Sequence, residues 1–132
     1  MRFIRKFFNF KMFLPSSSDV RRELRHLTDI LQLASHELKH GNAIERYKSI
    51  KALEGKADEI IHKISNKLAY DHTRVTEEKA DIRYLAESID DIIDNLTEAI
   101  FLLTIIKPLD DSVYHFFAFL DKAAEYIRMA IY

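Results

Sequence analysis

Apolar residues along this chain recur at helical spacing. From Val20 they fall at Leu24, Leu27, Leu31, Ala34 and Leu38, all on one face of a helix. A second series runs through Ile44, Tyr47, Ile50, Leu53, Ala57, Ile60, Ile61, Ile64 and Leu68, fading around Tyr70–Arg74. A third begins near Thr76 and contains Ile82, Leu85, Ile89, Ile92, Ile93, Leu96, Ile100 and Leu103; a fourth contains Val113, Phe116, Phe117, Leu120, Ala124, Ile127 and Ile131. Punctuation separates them. Pro15 and Ser16–Asp19 offer N-cap oxygens, Gly41–Asn42 suits a left-handed stop, and Pro108 removes a helical donor. Asp110–Asp111 put negative charge at the next helix start. The pattern predicts an all-α fold, an antiparallel helical bundle of about four helices joined by short connections. A single bundle domain is expected over 16–132, preceded by an arm at 1–15. The longest apolar run, Ala99–Leu103, reaches only Ile106 if Thr104 is admitted, too short to span a bilayer.

Composition narrows the chemistry. The 132 residues include no Cys, which removes disulfides, thiolate metal sites and thiol nucleophiles. Two glycines are too few for a phosphate-cradling loop or for the turns of a β-sandwich. A net charge of −1 gives no reason to expect a nucleic-acid partner. That near-neutrality is a sum of opposites. Residues 1–14 carry Arg2, Arg5, Lys6 and Lys11 and no acid, so the rest of the chain is net acidic. The same segment holds Phe3, Phe7, Phe8, Phe10 and Phe13. Read as a helix, it could lie on an anionic membrane surface or a partner, or its phenylalanines could pack on the body of the domain.

Four constellations could carry chemistry. Glu54, Asp58 and His62 share one stripe of the second helix, flanking its apolar face, and this donor set suits a hard or borderline divalent metal. The ordinary alternative is surface pairing, Lys51 with Glu54 and Asp58 with His62. On the third helix, Glu87, Asp91, Asp94 and Glu98 form a stripe with Asp90 beside it, and no Lys or Arg lies between Tyr84 and Ile106. The cost of that repulsion calls for basic neighbours, a bound cation or full solvation. That stripe points roughly away from the apolar one, so a metal there would sit near the surface. His36-Glu37-Leu38-Lys39-His40 spells the H-E-x-x-H of zinc peptidases but sits in the last turn of a helix with no strand beside it. Glu59…His62 and Glu37…His40 spell the E-x-x-H of di-iron bundles, near opposite ends of their hairpin.

The segments Ile50-Lys51-Ala52-Leu53-Glu54-Gly55-Lys56-Ala57-Asp58-Glu59-Ile60-Ile61-His62 and Ala80-Asp81-Ile82-Arg83-Tyr84-Leu85-Ala86-Glu87-Ser88-Ile89-Asp90-Asp91-Ile92-Ile93-Asp94 carry a resemblance. In order and spacing they resemble the PhoU-like phosphate transport regulators known as Pit accessory proteins, and the likeness covers most of the chain. The resemblance implies a PhoU-like bundle whose acid-x-x-x-Asp motifs, here Glu54…Asp58, Glu87…Asp91 and Asp90…Asp94, bind metal on the bundle surface. It implies a non-enzymatic cytoplasmic regulator, peripheral at the inner membrane face, acting on a Pit-type phosphate permease. With the stripes above, the expected ligands are Glu54, Asp58, His62, Glu87, Asp90, Asp91 and Asp94, and the expected metal is Fe, Zn or Mn. Two departures stand out. The family's D-R-E-D block is Glu78-Lys79-Ala80-Asp81 here, and Lys lacks the bidentate geometry of Arg. The chain is also shorter than expected for the family, which would leave an apolar face uncovered and points to a homo-oligomer or to a truncated, unstable family member. Two other classes remain open: a small di-metal carboxylate enzyme with ligands in the bundle core, and a metal-free helical adaptor whose acids meet a basic partner.

Overall fold

The computed structural model describes residues 19–106 and 111–132. The arm at 1–15 with its proposed membrane contact, the Ser16–Ser18 cap, the Pro108 stop and Asp110 lie outside the described residues. Four helices form: α1 (Asp19–Glu37), α2 (Ala43–Tyr70), α3 (Thr76–Ile105) and α4 (Asp111–Ile131), with no strand among the described residues. The expected all-α bundle is what the chain folds into.

α1 is the hub, lying against all three other helices, while α2 also packs along α3; α4 packs along α1 and meets α2 through Arg46, whose guanidinium lies 6.0 Å from the centre of the Tyr114 ring. The core is correspondingly centred on α1: Leu24, Leu27, Leu31, Ala34 and Leu38 meet Ile50, Ile64 and Leu68 of α2 and Ile82, Ile89, Ile93 and Ile100 of α3, all essentially inaccessible. Neighbours run antiparallel. Glu23 of α1 meets Lys67 near the end of α2 at 2.7 Å, and Arg46 near the start of α2 donates to the His40 carbonyl at 3.1 Å. Burial alone would raise the Glu23 pKa, but Lys67 holds it below the ordinary carboxylate value.

Local chemistry sets the helix ends. Gly41 adopts φ +76°, a left-handed position that strains any L side chain, and an added Cβ would also displace the Glu45 carboxylate, whose Oε2 it would meet at 2.8 Å. Asn42 then caps α2 reciprocally: its side chain accepts from the Glu45 amide at 3.0 Å, and Glu45 accepts from the Asn42 amide at 3.1 Å. Between α2 and α3 the buried Arg74 guanidinium pairs with Asp71 and, at 3.3 Å, with Glu78. Hydrogen bonds from Thr73, and then Arg74, hold the Asp71 carboxyl down at about 2. Glu78 thus has a structural partner that the motif comparison did not foresee.

α4 is tied to α1 by polar links. Asp121 pairs with Lys39 and accepts from Ser35 at 3.2 Å, while Asp29 accepts from Arg128 at 2.6 Å and from the Tyr132 hydroxyl at 2.7 Å. Phe117, Ala124 and Ile131 face the core, but Phe116, Phe119, Tyr126 and Met129 remain exposed on the outer side. None of the described helices is long and apolar enough to cross a membrane.

Candidate functional site

The antiparallel register of α2 on α3 decides which acids meet. Tyr47 stacks near Phe101, with ring centroids 5.5 Å apart. Counting forward along α2 and back along α3 from that pair sets position 54 level with 94, and 58 level with 90. The two acidic stripes, read from the sequence as separate features, therefore face one another across a single seam.

The electrostatics report that convergence. Asp90 is half-buried, its Oδ1 has no hydrogen-bond partner and is shut off from solvent, and its pKa is pushed up to about 6. Burial is the first cause, followed by the charges of Asp94, Asp58, Asp91 and Glu54. Asp94 is raised as well, by burial and then by Glu54, Asp58 and Asp91, with Lys51 acting in the opposite sense. Lys51, absent from the list of sequence candidates, pairs with Glu54, and that bond raises the lysine's own pKa. This is the surface pair that the sequence alternative named, yet it does not neutralise the seam: four further carboxylates remain around one lysine.

The structure thus gathers Glu54, Asp58, Asp90, Asp91 and Asp94. It does not draw in the other two candidates. Glu87 and His62 are exposed a turn further along, and neither is among the groups that shift Asp90 or Asp94. The expectation that the α3 stripe points away from the apolar face is corrected for Asp90, which turns into the α2 seam because it lies one residue after Ile89 and three before Ile93 on the packed face.

Carboxylate oxygens, one of them buried without a donor, are the donor set a hard or borderline cation takes. Among the described residues no three Asp, Glu or His side chains converge closely enough to hold a metal ion as they stand. The carboxylates share a field, not a coordination sphere. The E-x-x-H pairs are elsewhere: Glu59, His62 and His40 are exposed, so they do not line the apolar core. Sequence reasoning missed Arg74 and named Lys51 only as a surface partner of Glu54, not as a member of the site. For Lys51 the signal was its place three residues before Glu54; for Arg74 there was none, because a lone Arg in a short connection reads as solvated.

In comparisons with known proteins, no family model matches the chain and no curated protein matches it.

Proposed function

We propose that this protein is a non-enzymatic, cation-binding regulator of inorganic phosphate transport, with a carboxylate seam as its sensing element. The observation that carries the cation reading is the buried, donor-less Asp90 Oδ1, flanked by Asp58 and Glu54 from the facing helix and by Asp91 and Asp94 from its own. Five carboxylates against one lysine cost free energy that a multivalent cation recovers on binding. Glu54, Asp58, Asp90 and Asp94 would hold it, with Fe, Zn or Mn the metals that suit them; a bound cation would neutralise the repulsion between α2 and α3 and so tighten their contact. The seam by itself repels phosphate, so phosphate would engage it only through that cation.

The phosphate-transport reading rests on the motif resemblance to PhoU-like Pit accessory proteins, and the partner it names is a Pit-type permease at the inner membrane face. The outer side of α4, with Phe116, Phe119 and Tyr126 exposed beside Lys122, is the surface such a partner or a second copy of the chain would cover. The deciding experiment is metal analysis of protein purified without chelator, beside an Asp90→Ala/Asp94→Ala double variant. Metal present in the first and depleted in the second supports the reading; equal content in both removes it. The failure of three ligands to converge favours a second reading, a metal-free adaptor whose acids meet a basic partner. Salt-sensitive binding to the permease's cytoplasmic surface, unchanged by chelator, would select it.

A further inference from the structure

The end of α1 and the turn after it bring two imidazole nitrogens to one point. After Glu37 the helix tightens, with the Lys39 amide donating to the His36 carbonyl at 3.1 Å and the His40 amide to the Glu37 carbonyl at 3.2 Å. Gly41 then reverses the chain at φ +76°, and Arg46 Nε holds the His40 carbonyl at 3.1 Å from the start of α2. Backbone position 40 is therefore fixed on both sides. The two rings lie 4.7 Å apart, centre to centre, and their Nε2 atoms are 3.1 Å apart, with both residues exposed. No other two of the six histidines are four residues apart.

We propose that His36 and His40 form a chelating site for a borderline divalent d-block cation such as Cu²⁺, Ni²⁺ or Zn²⁺, distinct from the carboxylate seam. The geometry supports it directly. At the metal–nitrogen distance of about 2.0–2.1 Å that imidazole prefers, an Nε2–Nε2 separation of 3.1 Å subtends roughly 98° at the metal. That lies between the right angle of square-planar or octahedral sites and the tetrahedral angle, so both ring nitrogens can occupy neighbouring positions with water in the rest. The helix C-terminus adds to it, since its free carbonyls favour a cation. Imidazole pairs select these metals over Mg²⁺ and Ca²⁺, which take oxygen ligands. With no third protein ligand converging on the pair, the H-E-x-x-H string here makes a clamp and not a peptidase centre. Clamping 36 to 40 also braces the turn next to Lys39 and Ser35, which tie α1 to α4 through Asp121.

The test is calorimetric titration of chelator-stripped full-length protein with Ni²⁺ and Zn²⁺, alongside imidazole ¹⁵N NMR with diamagnetic Zn²⁺. The proteins are wild type, His36→Gln, His40→Gln and Asp90→Asn/Asp94→Asn. Wild type is expected to bind one equivalent at this pair, whatever the seam takes up, with the Nε2 signals of His36 and His40 shifting, and to melt at higher temperature with metal. Either Gln variant is expected to weaken that binding by about tenfold or more while keeping the metal-free melt, because both side chains are exposed. The Asp90→Asn/Asp94→Asn variant retains it. Equal affinity in wild type and His36→Gln, or shifts confined to other histidines, overturns the proposal and leaves the contact as a hydrogen bond between the two rings.

Discussion

Replacing Asp90 by Asn should stabilise the metal-free protein. The substitution keeps the shape of the side chain, removes its charge, and offers an amide to the neighbouring carboxylates. In the folded chain the Asp90 pKa rises from 3.8 to about 6. At roughly 1.4 kcal/mol per unit the whole shift is worth about 3 kcal/mol, and screening at a seam that opens to water cuts this to about 1–2 kcal/mol. The sign follows from linkage. A carboxyl whose folded pKa lies above its unfolded value binds its proton more tightly when folded, so its contribution is most favourable in acid. That contribution is lost as pH rises from about 4 to about 6, and the penalty is constant above about pH 7. The advantage of Asn over Asp should therefore be full at pH 7, partial at pH 5 and absent near pH 3.5. Urea denaturation at these three pH values in the presence of chelator measures it, with the midpoint compared at constant slope. Adding the preferred metal at pH 7 should reverse the order, since only the native carboxylate gains from binding. An Asn variant less stable than wild type at pH 7 without metal would refute the reasoning, as would an advantage that persists undiminished at pH 3.5.

Three further outcomes test other links. Ile93→Ala, at a fully buried position on α3, should cost about 2–5 kcal/mol in urea titration by leaving a cavity among α1, α2 and α3. Gly41→Ala should lower the melting temperature by the equivalent of about 1–2 kcal/mol, because an L side chain at φ +76° is strained and its Cβ meets Glu45. Arg74→Met should lower the urea midpoint at pH 7 and flatten the acid limb of the stability curve. The carboxyl of Asp71, depressed to about 2, contributes stability above about pH 4 that is lost as pH falls toward 2, and Arg74 supplies part of that depression.

Much of the fold was legible because burial imposes the helical period on the sequence. The four apolar series and the Gly41–Asn42 punctuation fixed helix number, order and limits to within a few residues, since each helix must turn one face inward and a left-handed stop favours glycine. The acids Glu54, Asp58, Asp90, Asp91 and Asp94 were also visible as repelling stripes, because charges one turn apart on a helix interact whatever surrounds them. What periodicity does not encode is register between helices. Only the packing of α2 along α3 brought the two stripes into one field, turned Asp90 inward and left Glu87 and His62 outside it. Only tertiary contacts gave Arg74 its two carboxylates, made α1 the hub, and laid α4 along α1 with its outer aromatics exposed. The physical reason is the same in each case. A residue's place on its own helix is set by the chain, whereas its partner across a seam depends on how two faces interlock.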